Sequence, residues 1–425
     1  MPSSAAARAQ VAAKLPSSAP LEQAATRGPG MRELLSDVGG VQVVNGIVGF
    51  LFAATAPVAI ILAVGTKAKL SPGDLSSWIF GSFFLNGLLS LWFCWRYRQP
   101  LVFFWTIPGV VLVGPALAHL TFPQVIGAYY ATGVLMAVLG WSGVVRRVMQ
   151  AVPVPIVMAM VAGVFLRFGL GLVFAVRDDF WIAAPMVVAF LVLSALPALR
   201  RVPPLIGTLV VGAVLVAVLG RFAGISSETA DLVRPNLYVP AFSWQAMVEL
   251  VLPLAITVLV VQNGQGITVL RAAGHEPPYD AVTVACGIGS IASAAVGAVS
   301  TCLTGPVNAI LAASGEKSKQ YSAGLVVGVL ALAFGLFAPV FTSLMLATPK
   351  AFIATLAGLA MLRVLQTAFV VSFKERFTLG ALVTFLVTVG DVPILNIGAP
   401  SWALVFGVIV SLLLERGDFR ATKPA

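Results

Sequence analysis

The chain is a succession of long apolar runs with almost no charge inside them. Runs near the length that takes a helix across a hydrocarbon core, about 20 residues, recur near 40–64, 75–95, 124–145, 153–174, 180–199, 203–222, 246–270, 280–298, 321–346, 350–371, 376–390 and 399–415. Two further stretches, 101–117 and 300–313, are apolar but interrupted by Pro108-Gly109 and Gly305-Pro306. Counted as broken spans, they bring the total to fourteen. The pattern predicts an all-α polytopic membrane protein, and composition agrees: 59% of residues are hydrophobic and 10% charged, with mean hydropathy +0.99. Soluble domains carry roughly 25% charged residues. A secreted enzyme and a cytosolic binding module are excluded.

Charge then sets orientation. The 26 Lys+Arg outnumber 16 Asp+Glu, but they lie in short loops rather than in one patch, so no nucleic-acid partner is implied. With the N-terminus in the cytoplasm, eighteen basic residues fall on the inner side, among them the pairs Arg146-Arg147 and Arg200-Arg201 together with Lys317 and Lys319. Six fall outside, and Arg167 and Arg363 stay within spans. This asymmetry supports fourteen spans with both termini cytoplasmic. Residues 1–38 are rich in Ala, Ser and Pro without a signal-peptide core and read as a mobile cytoplasmic tail, with a short second tail at 417–425. Cys94, Cys286 and Cys302 show no metal-ligand spacing; neither a disulfide, a metal nor a cofactor is expected.

The two halves echo each other. Val43–Gly46 (VVNG) recurs as Val260–Gly264 (VVQNG), Thr106–Gly109 (TIPG) is matched by Leu303–Pro306 (LTGP), and Pro153 with Arg167 fourteen residues on is matched by Pro349 with Arg363. These pair spans 1 and 8, 3 and 10, 5 and 12. A seven-span unit repeated after an odd number of crossings is inverted in the membrane, which gives a 7+7 inverted repeat. Proline removes a backbone donor and glycine permits non-helical conformations, so spans 3 and 10 are expected to be partly unwound. Unwound backbone at membrane depth survives where it lines protein or a water-filled cavity, and half-helix N-termini there present positive dipole ends to an anion.

Polar residues cluster at the same places. Spans 1 and 8 hold Asn45 and the group Gln262, Asn263 and Gln265; the breaks hold Trp105, Thr106 and Gly109, and Thr304, Gly305 and Asn308. These are the candidate substrate-binding residues, against the alternative that such amides bridge helices. Acids are scarce at depth. Glu249 and Asp391 lie toward the outer ends of spans 8 and 13, where a helix-end or loop role is favoured over a proton relay, and Arg167 and Arg363 are balanced between snorkelling and gating. His275-Glu276 lies in a loop, without a zinc-protease motif. No set of catalytic groups lies at depth, which argues against an enzyme.

The segments GGVQVVNGIVGFLFAATAPVAIILAVG, FWTIPGVVLVGPALAH, VVQNGQGITVLRAAGHEPPYDAVTVACGIGS and VSTCLTGPVNAILAASGEK resemble the benzoate/proton symporter (BenE) family over about residues 33–416. More distantly the chain resembles nucleobase-ascorbate and sulfate permeases. The resemblance implies a core domain (39–150, spans 1–4, and 246–346, spans 8–11), a gate domain (151–245, spans 5–7, and 347–416, spans 12–14), and a homodimer through the gate spans. It also implies proton-coupled uptake of a small aromatic carboxylate, most simply benzoate, across a bacterial inner membrane, with lipid as the remaining partner. Uracil-type permeases carry substrate-binding glutamates where this chain has Gln262 or Asn263 and Pro306, which argues against a nucleobase. The alternatives are a transporter or channel for another small anion, sulfate-permease-like, or a nucleobase permease. In this reading the carboxylate takes donors from Asn263, Gln265, Thr304 and the backbone at Gly109 and Gly305, while Phe103, Phe104 or Trp105 stacks on the ring. Asn263→Ala should then weaken benzoate binding and spare folding.

The charge count makes one outcome checkable. A cysteine placed at Lys317 is expected to resist an impermeant thiol reagent applied to intact cells; its modification from outside would overturn the fourteen-span topology.

Overall fold

Proline, glycine and short polar caps set the helix boundaries in the structure, a computed structural model of the 425-residue chain that describes residues 21–24, 27–145, 153–196, 204–223, 232–392, 394 and 399–421. In chain order the elements are α1 (Gly40–Lys67), α2 (Pro72–Tyr97), β1 (Phe103–Trp105), α3 (Ile107–Ala116), α4 (Phe122–Trp141), α5 (Val154–Asp178), α6 (Phe180–Ala195) and α7 (Pro204–Val218). The second half follows with α8 (Trp244–Ala272), α9 (Tyr279–Ala295), β2 (Thr301–Leu303), α10 (Gly305–Leu311), α11 (Lys317–Leu336), α12 (Lys350–Phe373), α13 (Thr378–Gly390) and α14 (Ala399–Leu414). They correspond in order to the expected spans. Among the described residues, seven helices are long and apolar enough to cross a membrane; most of the others are shorter apolar helices, and α10 is a half-helix of 7 residues.

Local sequence explains the ends. Ser71 and Asp74 form a capping box at α2, and Pro153 and Pro349 directly precede α5 and α12, where a residue without an N–H costs nothing. Three helices are less regular than expected. Thr55 breaks α1 two residues before Pro57. The stretch 321–346 divides at Phe337, two residues before Pro339, into α11 and a shorter helix, Ala338–Leu346. Helix α8 widens into π turns at Met247–Val251 and Thr257–Asn263, on either side of Pro253. A π turn adds a residue to the ladder and rotates every side chain beyond it.

The inverted repeat is visible in the packing. Helix α2 lies on α11 and α4 on α9; α6 lies on α7 and α13 on α14; α5 packs on α12. Exchanging each helix for its counterpart seven places away in the other half turns α2–α11 into α9–α4 and α6–α7 into α13–α14, and α5 with α12 is the pair that maps onto itself. Glycines set the closeness of two of these crossings. A Cβ at Gly133 on α4 would stand 2.9 Å from the Gly287 carbonyl on α9, and one at Gly87 on α2 would stand 3.1 Å from the Gly328 carbonyl on α11. Small residues at such crossings let helices pack where lipid supplies no hydrophobic drive. Outward faces are apolar, with Val138, Val173, Leu191, Val214, Leu386 and Ile409 exposed, as a lipid-facing surface requires.

At the centre, β1 and β2 pair antiparallel with Phe103 opposite Leu303, Phe104 opposite Cys302 and Trp105 opposite Thr301. The ladder is extended by Thr106 N donating to Ser300 O at 2.9 Å and Thr304 N to Val102 O at 3.1 Å. Both breaks are therefore short strands that pass into half-helices, α3 and α10.

The expected mobile tail needs correction within the described residues. Residues 31–37 form a helix, and Arg98 hydrogen-bonds Glu33 in a bidentate pair at 2.5 and 2.6 Å, holding that carboxyl below the ordinary carboxylate range. The Glu22 carboxylate accepts the amides of Asp280 (3.1 and 3.0 Å) and Ala281 (3.0 Å) in the first turn of α9. The segment is docked because it supplies a cap that α9 lacks. Residues 1–20, both arginine pairs and the last four residues lie outside the described residues.

The glycine crossings predict opposite outcomes for two similar changes. Gly287→Ala would place a Cβ 2.5 Å from the Ala137 amide nitrogen and is expected to cost about 1–3 kcal/mol. Gly171→Ala in α5 meets nothing within 4 Å and should be neutral or stabilising by up to about 1 kcal/mol. Thermal unfolding of the purified protein checks both.

Candidate functional site

The site is built around unwound backbone whose amides must be satisfied away from water. Four side chains do so. Phe103 N donates to Ser90 Oγ at 2.8 Å and Thr301 N to Ser290 Oγ at 2.9 Å, one serine from α2 and its repeat counterpart from α9. Val102 N donates to Asn308 Oδ1 at 3.0 Å, Asn308 Nδ2 returns a bond to Val102 O at 3.2 Å, and Leu303 N donates to Asn263 Oδ1 at 2.8 Å. Asn263 and Asn308 are both buried and both hold strands.

The half-helix tips differ in what they leave free. At α3, Thr106 Oγ1 accepts the Gly109 amide at 3.2 Å and donates to Thr257 Oγ1 at 3.2 Å. The Gly109 amide expected to meet a substrate is thus already used. At α10, Thr304 makes no side-chain cap, and Gly305 and Val307 are first-turn donors without an intrahelical acceptor. Gly305 also lets the tip seat on α8, because a Cβ there would stand 2.5 Å from Gln265 Cγ.

A cavity of about 710 Å³ opens beside these tips. Ile107 and Pro108 of α3 and Pro306 of α10 form its head; Gln262, Gly264, Gln265, Thr268 and Arg271 of α8 form one side. Met158, Val161 and Phe165 of α5 and Val364, Thr367 and Val371 of α12 form the apolar wall opposite. It extends to Arg271, whose guanidinium sits 4.6 Å from the centroid of the Tyr279 ring. Among the described residues, none that lines it is acidic. Amide and helix-tip donors on one side and hydrocarbon on the other suit an amphipathic anion.

Of the expected residues, the structure brings Gln262 and Gln265 into the cavity lining, next to Pro306 of the α10 tip; Thr304 and Gly305 are buried at that tip, and the others lie elsewhere. Asn45 donates to Ala313 O at 3.4 Å, at the far end of α10. Trp105 is buried, with its ring centroid 5.0 Å from that of Phe83 and 5.6 Å from that of Phe104, and Phe103 packs on Phe93 at 4.8 Å. The aromatic residues expected to stack on a substrate ring therefore belong to the core, because β1 crosses the middle of the bundle with both faces covered. The rings that line the cavity are Phe165 and Tyr279. Arg271 was missed by sequence reasoning, although Gly264, Thr268 and Arg271 stand at i, i+4 and i+7 along α8 and mark one helix face.

Two acids are paired. Glu249, expected at a helix end, is buried 2.9 Å from His119 Nε2, and Asp391 lies 2.6 Å from Arg167 Nη2.

Asn263→Ala would leave the Leu303 amide unsatisfied at depth and is expected to lower stability by about 1–3 kcal/mol. Gln265→Ala removes no acceptor from the backbone and should leave the melting temperature nearly unchanged. Equal melting temperatures for the two variants would contradict the bridging role of Asn263.

Comparison with known proteins gives the same architecture. In solved structures, the transmembrane domain of the cyanobacterial bicarbonate transporter BicA superposes with TM-score 0.61 at 14% identity, covering 90% of this chain and 99% of that one. SLC26A9 superposes with TM-score 0.61 at 15% identity, covering 87% and 65%. By sequence, the Escherichia coli (strain K12) inner membrane protein YdcO is 28% identical over 386 residues, 88% of this chain and 97% of that one. The Acinetobacter baylyi benzoate membrane transport protein is 25% identical over 378 residues, covering 87% and 94%. The BenE model, described as benzoate membrane transport protein, matches residues 36–413. An inverted repeat of apolar helices around two paired breaks, matched to this model over residues 36–413, places the chain in the BenE family of membrane transporters.

Proposed function

We propose that the protein is a secondary transporter that carries benzoate, or a similar small aromatic carboxylate, into the cytoplasm together with protons. One observation carries the reading: the cavity joins the side-chain amides of Gln262 and Gln265, beside Pro306 of the α10 tip, to a hydrocarbon wall containing Phe165, with the cation Arg271 at its far end. A carboxylate head is held by the donors and an aromatic ring by the wall. Uncharged donors hold an anion without trapping it, and the lack of acidic lining spares it repulsion. The name of the A. baylyi relative supports this substrate class.

In this reading α1–α4 and α8–α11 form a core that carries the site, α5–α7 and α12–α14 form a gate, and the cavity lies between them. Asn45, Thr106, Gly109, Asn263 and Asn308 support the site by holding its backbone, with Thr304 beside the ligand at the tip. In the same reading both termini, Arg271 and Lys317 lie on the cytoplasmic side of an inner membrane, which the excess of basic residues in the loops assigned to that side supports. The cavity then opens inward.

Labelled benzoate uptake into proteoliposomes tests the reading. An inward proton gradient is expected to drive accumulation above the external concentration, and sodium to have no effect. Uptake at full rate after collapse of the pH gradient and membrane potential, or uptake that requires sodium, would contradict proton coupling. Absence of saturable benzoate uptake would move the substrate to another small anion.

A further inference from the structure

The inverted repeat sets an arginine fourteen residues after the proline that precedes α5 and α12, yet the two arginines are not in equivalent surroundings. Arg167 is neutralised by Asp391 at 2.6 Å, at the end of α13. Arg363, fourteen residues into the 24 of α12, has no carboxylate within ion-pair distance among the described residues; its guanidinium donates only to the Gln366 amide, 3.3 Å away on the same helix. A cation in the middle of a span without a counter-ion is costly and persists where it faces water or a ligand.

Arg363 faces a second cavity. Its volume is about 550 Å³, between α1, α6, α7, α10 and α12, and Phe52, Phe190 and Leu205 supply its apolar walls. Gln265, Pro306, Val364 and Thr367 line this cavity and the first one alike. The two are therefore neighbours on either side of the α10 tip and a polar edge of α12. Among the described residues, no acid lines the second cavity either.

We propose that Arg363 is a second anion-binding residue of the transport path: its guanidinium holds the substrate carboxylate beside the α10 tip, while Phe52 and Phe190 receive the aromatic ring. The inference rests on the proposed transport of an aromatic carboxylate. Guanidinium and carboxylate match in a planar, two-bond geometry that a lysine ammonium meets only as a point charge. Arg363 also lies on the helix opposite the half-helix tip, so the anion bridges the two sides of the cavity pair. A phospholipid headgroup offers similar oxyanion chemistry, and the test separates the two sources.

Benzoate binding is measured on purified wild type, Arg363→Gln, Arg363→Lys and Arg167→Gln, each in neutral phosphatidylcholine and in phosphatidylglycerol-containing liposomes. Arg363→Gln is expected to raise the Kd about tenfold, the loss of roughly one charge-assisted bond, in both lipids, and to flatten its dependence on salt. Arg363→Lys should recover part of the affinity, because it keeps the charge but not the two-bond geometry. Arg167→Gln should lower thermal stability and leave the Kd within about twofold, since its partner is Asp391. The proposal is overturned if Arg363→Gln keeps the wild-type Kd, if its loss tracks a fall in melting temperature that lysine does not repair, or if the loss occurs only with phosphatidylglycerol. Wild-type protein that binds no benzoate overturns the proposed function itself, and this inference with it.

Discussion

Backbone that leaves the helix inside a membrane has no water to bond, and the rest of this molecule is arranged around satisfying it. The two strands pair with each other, and what they cannot supply comes from Ser90, Ser290, Asn263 and Asn308. Each lost partner would leave an amide unsatisfied at a cost of about 1–3 kcal/mol, so these side chains fix α2, α8, α9 and α10 around the crossing. Thr301 Oγ1, which donates to Asn86 Oδ1 at 2.8 Å, ties α2 in a second time. Once the strands are satisfied, the donors left over are at the half-helix tips, and that is where the cavity lies.

Duplication gives the two halves the same plan, and small differences within it produce a site with direction. Thr106 closes the first turn of α3, whereas Thr304 leaves the first turn of α10 open. Gln265 packs beneath Gly305 and reaches both cavities, and its neighbour Gln262 faces the larger one. Arg167 is neutralised by Asp391, while Arg363 has no carboxylate partner among the described residues. A strictly symmetric molecule would offer equivalent surroundings to both sides of the membrane; these departures leave the surroundings of α10 different from those of α3.

Paired acids and bases lie away from the cavities. Glu249 meets His119, and Ser401 Oγ of α14 donates to the Glu249 carbonyl at 2.6 Å. This contact joins α8 to α14, far along α8 from Arg271. The end of the bundle that holds it is stitched across by polar bonds, while the opposite end, at Arg271, is where the larger cavity extends.

The spans, the two breaks and the repeat were legible in the sequence because hydropathy, proline and glycine act over a few residues, and lipid admits few alternatives for a long apolar run. Which amide faces a ligand was not. Gln262 and Asn263 are neighbours in one polar cluster, yet one lines the cavity and the other holds Leu303, because rotation about the α8 axis is set by the π turn at Thr257–Asn263 and by the packing that stabilises it. Trp105 looked available for stacking because it stands at the first break; here the strand that carries it is covered on both faces. The docked segment around Glu22 depended on an α9 N-terminus some 258 positions away. The sequence by itself determined which segments cross the membrane and where they unwind; the tertiary structure decided which of the freed and polar groups are consumed in holding the fold and which remain for a substrate, since that depends on partners brought together only when the two halves interleave.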